Sequence, residues 1–259
     1  MKKYTALILA FALCLSIAPT AFAASCSSYN WYFKKCNDHS QPILASEFNF
    51  IDNYAGYYLD RSHSDYNNSD KVIYLTFDAG YENGNIEKIL DIMKEENVKG
   101  SFFILENLIK RNPELVKKMN EDGHEICNHT AKHPDMTKFT DKKKFQEELS
   151  SLEDLCQKEL GIEISHFFRP PEGKFNETTL KFANELGYKT IFWSFAYADW
   201  DNNNQFPPAA ALEKLKKGTH NGEILLLHPT SKTNAEIIKD YIIFLKNEGF
   251  RFATLSELP

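Results

Sequence analysis

From Lys71 onward the chain alternates two kinds of hydrophobic pattern. Short β-favouring runs come at Val72–Phe77, Ser101–Ile104, Glu125–Cys127, Phe167–Phe168, Thr190–Trp193, Ile224–Leu227 and Phe250–Ala253, and each reads as a strand. Between them apolar residues recur at helical spacing. This predicts helices over Asn85–Glu96, Pro113–Asp122, Asp141–Leu160, Asn176–Leu186, Ala209–Lys217 and Thr233–Glu248. In the longest, Phe145, Leu149, Leu152, Cys156 and Leu160 make one stripe, with Asp141 placed as N-cap and Gly161 just past the end. Strands alternating with helices imply a parallel sheet, either open or closed into a barrel.

The chain before Lys71 is patterned differently. Residues 24–70 are aromatic and polar with weak periodicity, and a Ser/Asn/Asp-rich stretch precedes Lys71. They read as an N-terminal extension packing on a main domain of residues 71–259. Residues 1–23 read as a secretory signal peptide: Lys2 and Lys3 come first, then 13 uncharged, mostly apolar residues from Thr5 to Ile17, then Ala21-Phe22-Ala23 as a cleavage site. That run is shorter than the ~20 residues that span a bilayer. The expectation is an exported protein with no lasting membrane insertion once the leader is cleaved.

Composition narrows the partners. The 42% hydrophobic content suffices for a folded core in a chain of 259 residues. Loss of Lys2 and Lys3 with a leader that holds no acid takes the net charge from −6 to −8. A net acidic chain is a poor nucleic-acid binder, so no nucleic-acid partner is expected. Of five cysteines, Cys26, Cys36, Cys127 and Cys156 remain after cleavage. The close spacing of Cys26 and Cys36 in an exported chain makes a disulfide between them plausible, while Cys127 and Cys156 read as buried thiols.

The polar residues that stand out fall just after strands: Asp78, His129, Arg169, Asp199 and His228 follow the first, third, fourth, fifth and sixth runs. In parallel barrels and doubly wound sheets the strands' C-terminal ends share one face, and active sites form there. "NHTAKHP" sets His129 and His133 four apart, a spacing that points both imidazoles one way on a helical turn or a tight loop. Two neutral imidazoles suit a divalent ion, zinc above all. Asp78 is either a turn former or a base that takes a proton from an activated water. Arg169, in "HFFRPPEGKF", can clamp a carboxylate and keep it ionised. Backbone N–H groups near Glu172 and Gly173 are candidates to meet an oxyanion, which makes Glu172 a candidate substrate contact. Asp199 can orient and charge His228, which then donates a proton to a leaving amine. Trp200 offers either a core-packing ring or a face for a sugar. No GxSxG elbow, Walker loop, GxGxxG fingerprint or H-E-x-x-H helix is present.

"TFDAG", "HTAKH", "RPPEG", "ADW" and "LLLH" stand in order between Thr76 and His228. With them the stretch from about Lys71 to Leu258 resembles the polysaccharide deacetylases, the NodB-homology group of carbohydrate esterases. "FDAGYENG", "FWSFAYADWD" and the earlier "YNWYFKKCNDHSQP" are similar to the branch that makes the delta-lactam of bacterial spore cortex. The resemblance implies an α/β fold, a distorted (β/α) barrel with fewer than eight regular repeats, and metal-dependent removal of N-acetyl groups from amino sugars. It implies Asp78 as base, His129 and His133 as metal ligands, and Arg169 as the tether of the base. Asp199 would then tune His228, the general acid. The branch further implies peptidoglycan strands as partner, with N-acetylmuramic acid freed of its stem peptide as substrate. Chitin-like or acetylated xylan substrates, and a non-catalytic glycan binder, are the alternatives. One position departs from the wider family: Ala79 stands where a second aspartate completes a His-His-Asp metal site, so weaker or more exchangeable metal binding is expected.

Overall fold

The computed structural model describes residues 27–36 and 38–259. The expected leader and Cys26 lie outside them, and so does any bond from Cys26 to Cys36, whose thiol is free among the described residues. Eight strands build the main sheet: β1 Gly56–Tyr57, β2 Lys71–Ala79, β3 Ser101–Ile104, β4 Glu125–Asn128, β5 Ser165–Phe168, β6 Lys189–Ile191, β7 Glu223–Leu227 and β8 Phe250–Ala253. The helices are α1 Ile86–Glu95, α2 Glu106–Arg111, α3 Pro113–Glu121, α4 Lys142–Leu160, α5 Glu177–Glu185, α6 Pro208–Gly218 and α7 Lys232–Asn247. None of the described helices is long and apolar enough to cross a membrane.

The strand order is β7-β2-β3-β4-β5-β6-β1, every pair parallel. β7 takes one edge of β2 over Ile73–Phe77. The other edge is shared, β8 pairing with Lys71–Tyr74 and β3 with Thr76–Ala79. The sheet curls until the chain beyond β6 meets β7 again, joined by an isolated bridge between Phe195 and Leu225. A second bridge, Leu59 to Glu223, lies near it. This is a distorted (β/α) barrel, closed on one side by single bridges where a ladder would stand.

Alternation along β2 sorts its side chains to two cores. Ile73, Leu75, Phe77 and Ala79 join the core cluster that holds Ile89 and Met93 of α1 and Ile238 and Ile242 of α7. Val72 and Tyr74 join Phe103, Cys127, Ile191 and Ile224 in the barrel interior. Thr76 and Asp78 share that inward face, so the inward row of β2 turns from apolar to polar as it reaches the barrel mouth. The helices form where the stripes place them. The side chain of Asp141 accepts the N–H of Lys143 at the start of α4, and Gly161 ends it at φ 69°. Asn176 and Thr179 close a capping box on α5.

Two features lie outside the sequence pattern. α2 has six residues, too few to show a helical period. The described residues before Lys71 are built into the barrel as well as laid on it: β1 adds a parallel strand beside β6. A third core of Trp31, Phe48, Ile51, Tyr58, Phe175 and Phe192 welds this segment to the barrel wall, with Trp31 stacked on Phe192 at 4.2 Å.

Candidate active site

Arg169 is the keystone of the barrel mouth. Its side chain is fully buried, the largest of those so placed, and its guanidinium lies 4.1 Å over the Phe103 ring of the interior core. It donates to Asp78 Oδ1 at 2.8 Å, to Thr76 Oγ1 at 2.8 Å and to the carbonyls of Ile191 and Phe192 at 3.2 and 3.3 Å. One cation thus ties β2 to the end of β6. Burial alone would raise the Asp78 pKa; the charge of His129 where acid protonates it, and those of Arg169 and His228, outweigh it and hold the carboxyl below its usual range. Burial pushes His129 down to about 4, so at neutral pH that ring is uncharged, and Arg169 is the permanent charge that keeps Asp78 ionised.

His129 and His133 sit on a tight loop, the second of the two geometries their spacing allows. Thr130 and His133 both hold positive φ, 73° and 59°. The Asn128 side chain accepts the N–H of Thr130, and Thr130 Oγ1 accepts that of His133. The rings meet edge to face with centroids 4.9 Å apart. His129 donates from Nδ1 to the Arg169 carbonyl at 2.9 Å, so Nε2 carries a lone pair, and Asp78 Oδ2 lies 3.5 Å from it. Two acceptors face each other with no proton to share. Ligands bound ~2.0–2.1 Å from a tetrahedral ion stand about 3.4 Å apart, so this gap fits a divalent cation. Among the described residues no group of three or more His, Cys, Asp or Glu is arranged to hold a metal. The donors on hand are the two imidazoles, with Asp78 beside them. The Ala79 side chain is fully buried in the core cluster of the helix side, away from this face.

Across the mouth, His228 Nδ1 donates to Asp199 Oδ1 at 2.7 Å. Asp199 is almost wholly buried, and its Oδ2 accepts from the backbone N–H of His228 at 2.8 Å and from Asn234 Nδ2 at 2.6 Å. Burial of His228 opposes its charge, yet the bond and charge of Asp199, helped by Asp78, carry its pKa above the ordinary value.

Asp78, His129, His133, Glu172, Trp200 and His228 all line one cavity of about 570 Å³, walled also by Trp193, Tyr197 and Leu226. Arg169 and Asp199 stand behind it. Of the two expected oxyanion donors, the Gly173 N–H is taken by the Pro170 carbonyl at 3.0 Å, which leaves Glu172 of that pair. Its backbone holds φ 57°, and its carboxylate pairs with Lys174 at 2.6 Å. Trp200 is 63% exposed, a free face and not a core ring. Sequence reasoning missed Thr76 and Asn234, the groups that brace Arg169 and Asp199. Thr76 carried a usable signal, since it shares the alternation of Asp78; Asn234 carried none.

A parallel barrel with an ionised, cation-held carboxylate and a carboxylate-backed imidazole at one mouth defines a hydrolytic enzyme. The chain belongs to the polysaccharide deacetylase family, whose model matches residues 65–191. Along its full length it is 39% identical to the peptidoglycan-N-acetylmuramic acid deacetylase PdaA of Bacillus subtilis, covering 96% of that protein. The solved structure of that PdaA, a family 4 carbohydrate esterase, superimposes with a TM-score of 0.83 over 90% of this chain and 97% of that one. A family 4 carbohydrate esterase from Bacillus anthracis gives 0.73 at 36% identity, over 91% of this chain and 98% of that one.

Proposed function

We propose that this enzyme is exported and removes the N-acetyl group from N-acetylmuramic acid residues of peptidoglycan, on the route to the muramic delta-lactam of spore cortex. The observation that carries the chemistry is the pairing of Asp78 with Arg169 and of His228 with Asp199 around one cavity. The site thereby holds an ionised base and a charged acid at the same pH. The muramic assignment is supported by the likeness to PdaA, and the cortex role by the "FDAGYENG" and "FWSFAYADWD" segments.

Asp78 takes a proton from water as the oxygen attacks the acetamide carbonyl. Electron density moves onto the carbonyl oxygen, and a tetrahedral intermediate forms. Imidazolium His228 then gives its proton to the amine nitrogen as the C–N bond breaks, releasing acetate and a free amino sugar. Arg169 positions the base, and Asp199 fixes the His228 tautomer with the proton on Nδ1. His129 and His133 would hold a divalent ion, zinc by donor type, which when bound acidifies water and polarises the carbonyl. Trp200 offers the apolar face on which a pyranose ring stacks.

Acetate release from peptidoglycan tests this, with and without prior amidase treatment, with added zinc and with chelator. Release only after amidase, lost with chelator and restored by zinc, is the expected pattern. Asp78→Asn, which keeps the acceptor for Arg169, should stay folded and release no acetate. Substantial turnover by that variant would remove Asp78 from its role.

A further inference from the structure

The backbone from Trp193 to Tyr197 serves two spaces. Trp193, Ala196 and Tyr197 face the catalytic cavity, while Ser194 and Phe195 line a second cleft of about 540 Å³ between α6 and the N-terminal segment. That volume lies within the ~300–1,000 Å³ of small-molecule sites. Its apolar lining includes Phe33, Phe195 and Phe206, and three lysines line it as well, Lys35, Lys214 and Lys217. Lys35 Nζ lies 5.1 Å over the Phe195 ring and Lys214 Nζ 5.0 Å over that of Phe206.

These lysines share one property. None of the three makes a hydrogen bond or ion pair with another described residue, whereas Lys94, Lys118, Lys142 and Lys246 each sit on an acid. Glu213, the one acid among the described residues lining the cleft, is already paired with Lys216 at 3.6 Å. Burial, then the charge of Lys214, lowers the Lys35 pKa, so the like charges already strain one another. In a chain of net charge −6, three cations gathered without a counter-ion are an electrostatic cost that an anionic ligand removes.

We propose that this cleft is a second glycan site, which takes an acidic sugar residue of a wall strand with its carboxylate between Lys35 and Lys214 and its ring against the part-exposed Phe33 and Phe206. Aromatic rings match the C–H faces of a pyranose and the ammonium groups match a sugar acid, so a neutral sugar would leave the charges unmet. The identity of the glycan rests on the proposed peptidoglycan substrate; the anion site itself does not.

Lysine-reactivity footprinting of the full chain, read by mass spectrometry, tests it. The probes are a peptide-free tetrasaccharide of alternating N-acetylglucosamine and N-acetylmuramic acid, and neutral chitotetraose, both on the Asp78→Asn protein to prevent turnover. The acidic probe should slow modification of Lys35 and Lys214 about tenfold, the neutral one should not, and added salt should abolish the difference. A Lys35→Gln/Lys214→Gln protein should deacetylate a short soluble glycan at the wild-type rate yet bind peptide-free sacculi about tenfold more weakly. Equal lysine reactivity with and without the acidic probe would overturn the site, and so would protection by glycerol phosphate polymer alone. Failure of acetate release on wall glycan with lysine protection intact would instead count against the proposed activity.

Discussion

Replacing Asp199 by Asn separates two roles that the carboxylate performs at once. Its Oδ2 accepts from two fixed donors, the His228 backbone N–H and Asn234 Nδ2. An asparagine must turn its carbonyl oxygen to those donors, because its NH₂ would otherwise abut them. That orientation aims the NH₂ at His228 Nδ1, which must then be an acceptor. The imidazole is locked neutral, with its proton on Nε2. The lost bond is charge-assisted, worth about 1.5–3 kcal/mol, and each 1.36 kcal/mol is tenfold in protonation. The fraction of His228 carrying the acid proton at neutral pH should therefore fall about ten- to hundred-fold, and kcat with it. The sign follows from the wild-type direction: His228 binds its proton more tightly than a free imidazole, so activity persists above the ordinary histidine range and fails as pH rises through the raised value. In the Asp199→Asn protein that alkaline fall should move to lower pH, with the thermal melt showing a folded barrel. The assay is a pH–rate profile of acetate release, paired with an NMR titration of the His228 ring. An unmoved alkaline limb, or a lost rate with an unchanged ring titration, would refute the reasoning.

Other outcomes follow from the same structure. Arg169→Met should lower unfolding stability by about 3–5 kcal/mol, measured in urea, because it strands a buried carboxylate; Arg169→Lys should recover only part, since one ammonium cannot serve Asp78, Thr76 and two carbonyls together. Gly222→Ala should destabilise the whole barrel, read as a lower melting temperature. Gly222 holds φ +74°, and an added Cβ would stand 2.2 Å from the Asp60 carbonyl oxygen. His124 lies away from the site with its pKa pushed by burial to about 4. Stability should therefore be lost as pH falls from about 6.5 toward about 4, where the unfolded chain takes a proton that the folded one refuses, an effect of about 3 kcal/mol. His124→Asn, which keeps an acceptor for the Gly100 N–H, should flatten that acid slope in denaturant titrations.

The barrel and its mouth were legible where one rule governs many residues. Seven apolar runs became seven strands, and for β2, β3, β4 and β7 burial on both faces leaves few other options for such segments. The polar residues that ended those runs converged because parallel strands share a direction. What stayed hidden depends on contacts remote in sequence. β1 is two residues, Gly56 and Tyr57, and its pairing comes from β6, more than a hundred positions on. Trp31 reads as one aromatic among many until Phe192 and the Trp193 carbonyl receive it. The His129 loop needs left-handed backbone at Thr130 and His133, a cost no propensity scale foretells, because it is met by backbone N–H groups donating to the side chains of Asn128 and Thr130.

The bridge between Phe195 and Leu225 gives the barrel a preferred place to breathe. On its other sides Arg169 and continuous ladders bind the wall together, but here a few bonds join it, Ser194 N–H to Ile224 and Leu226 N–H to Phe195 among them. Local opening at this seam disrupts less than a strand's worth of bonds, so its amides should exchange with solvent well before those of β2. Leu226 and His228 lie on the seam's β7 side, and Trp193 and Tyr197 on the other. The seam thus divides the lining of the site, yet Asp78 is held to both halves, by the ladder from β2 to β7 and through Arg169 to the Phe192 carbonyl.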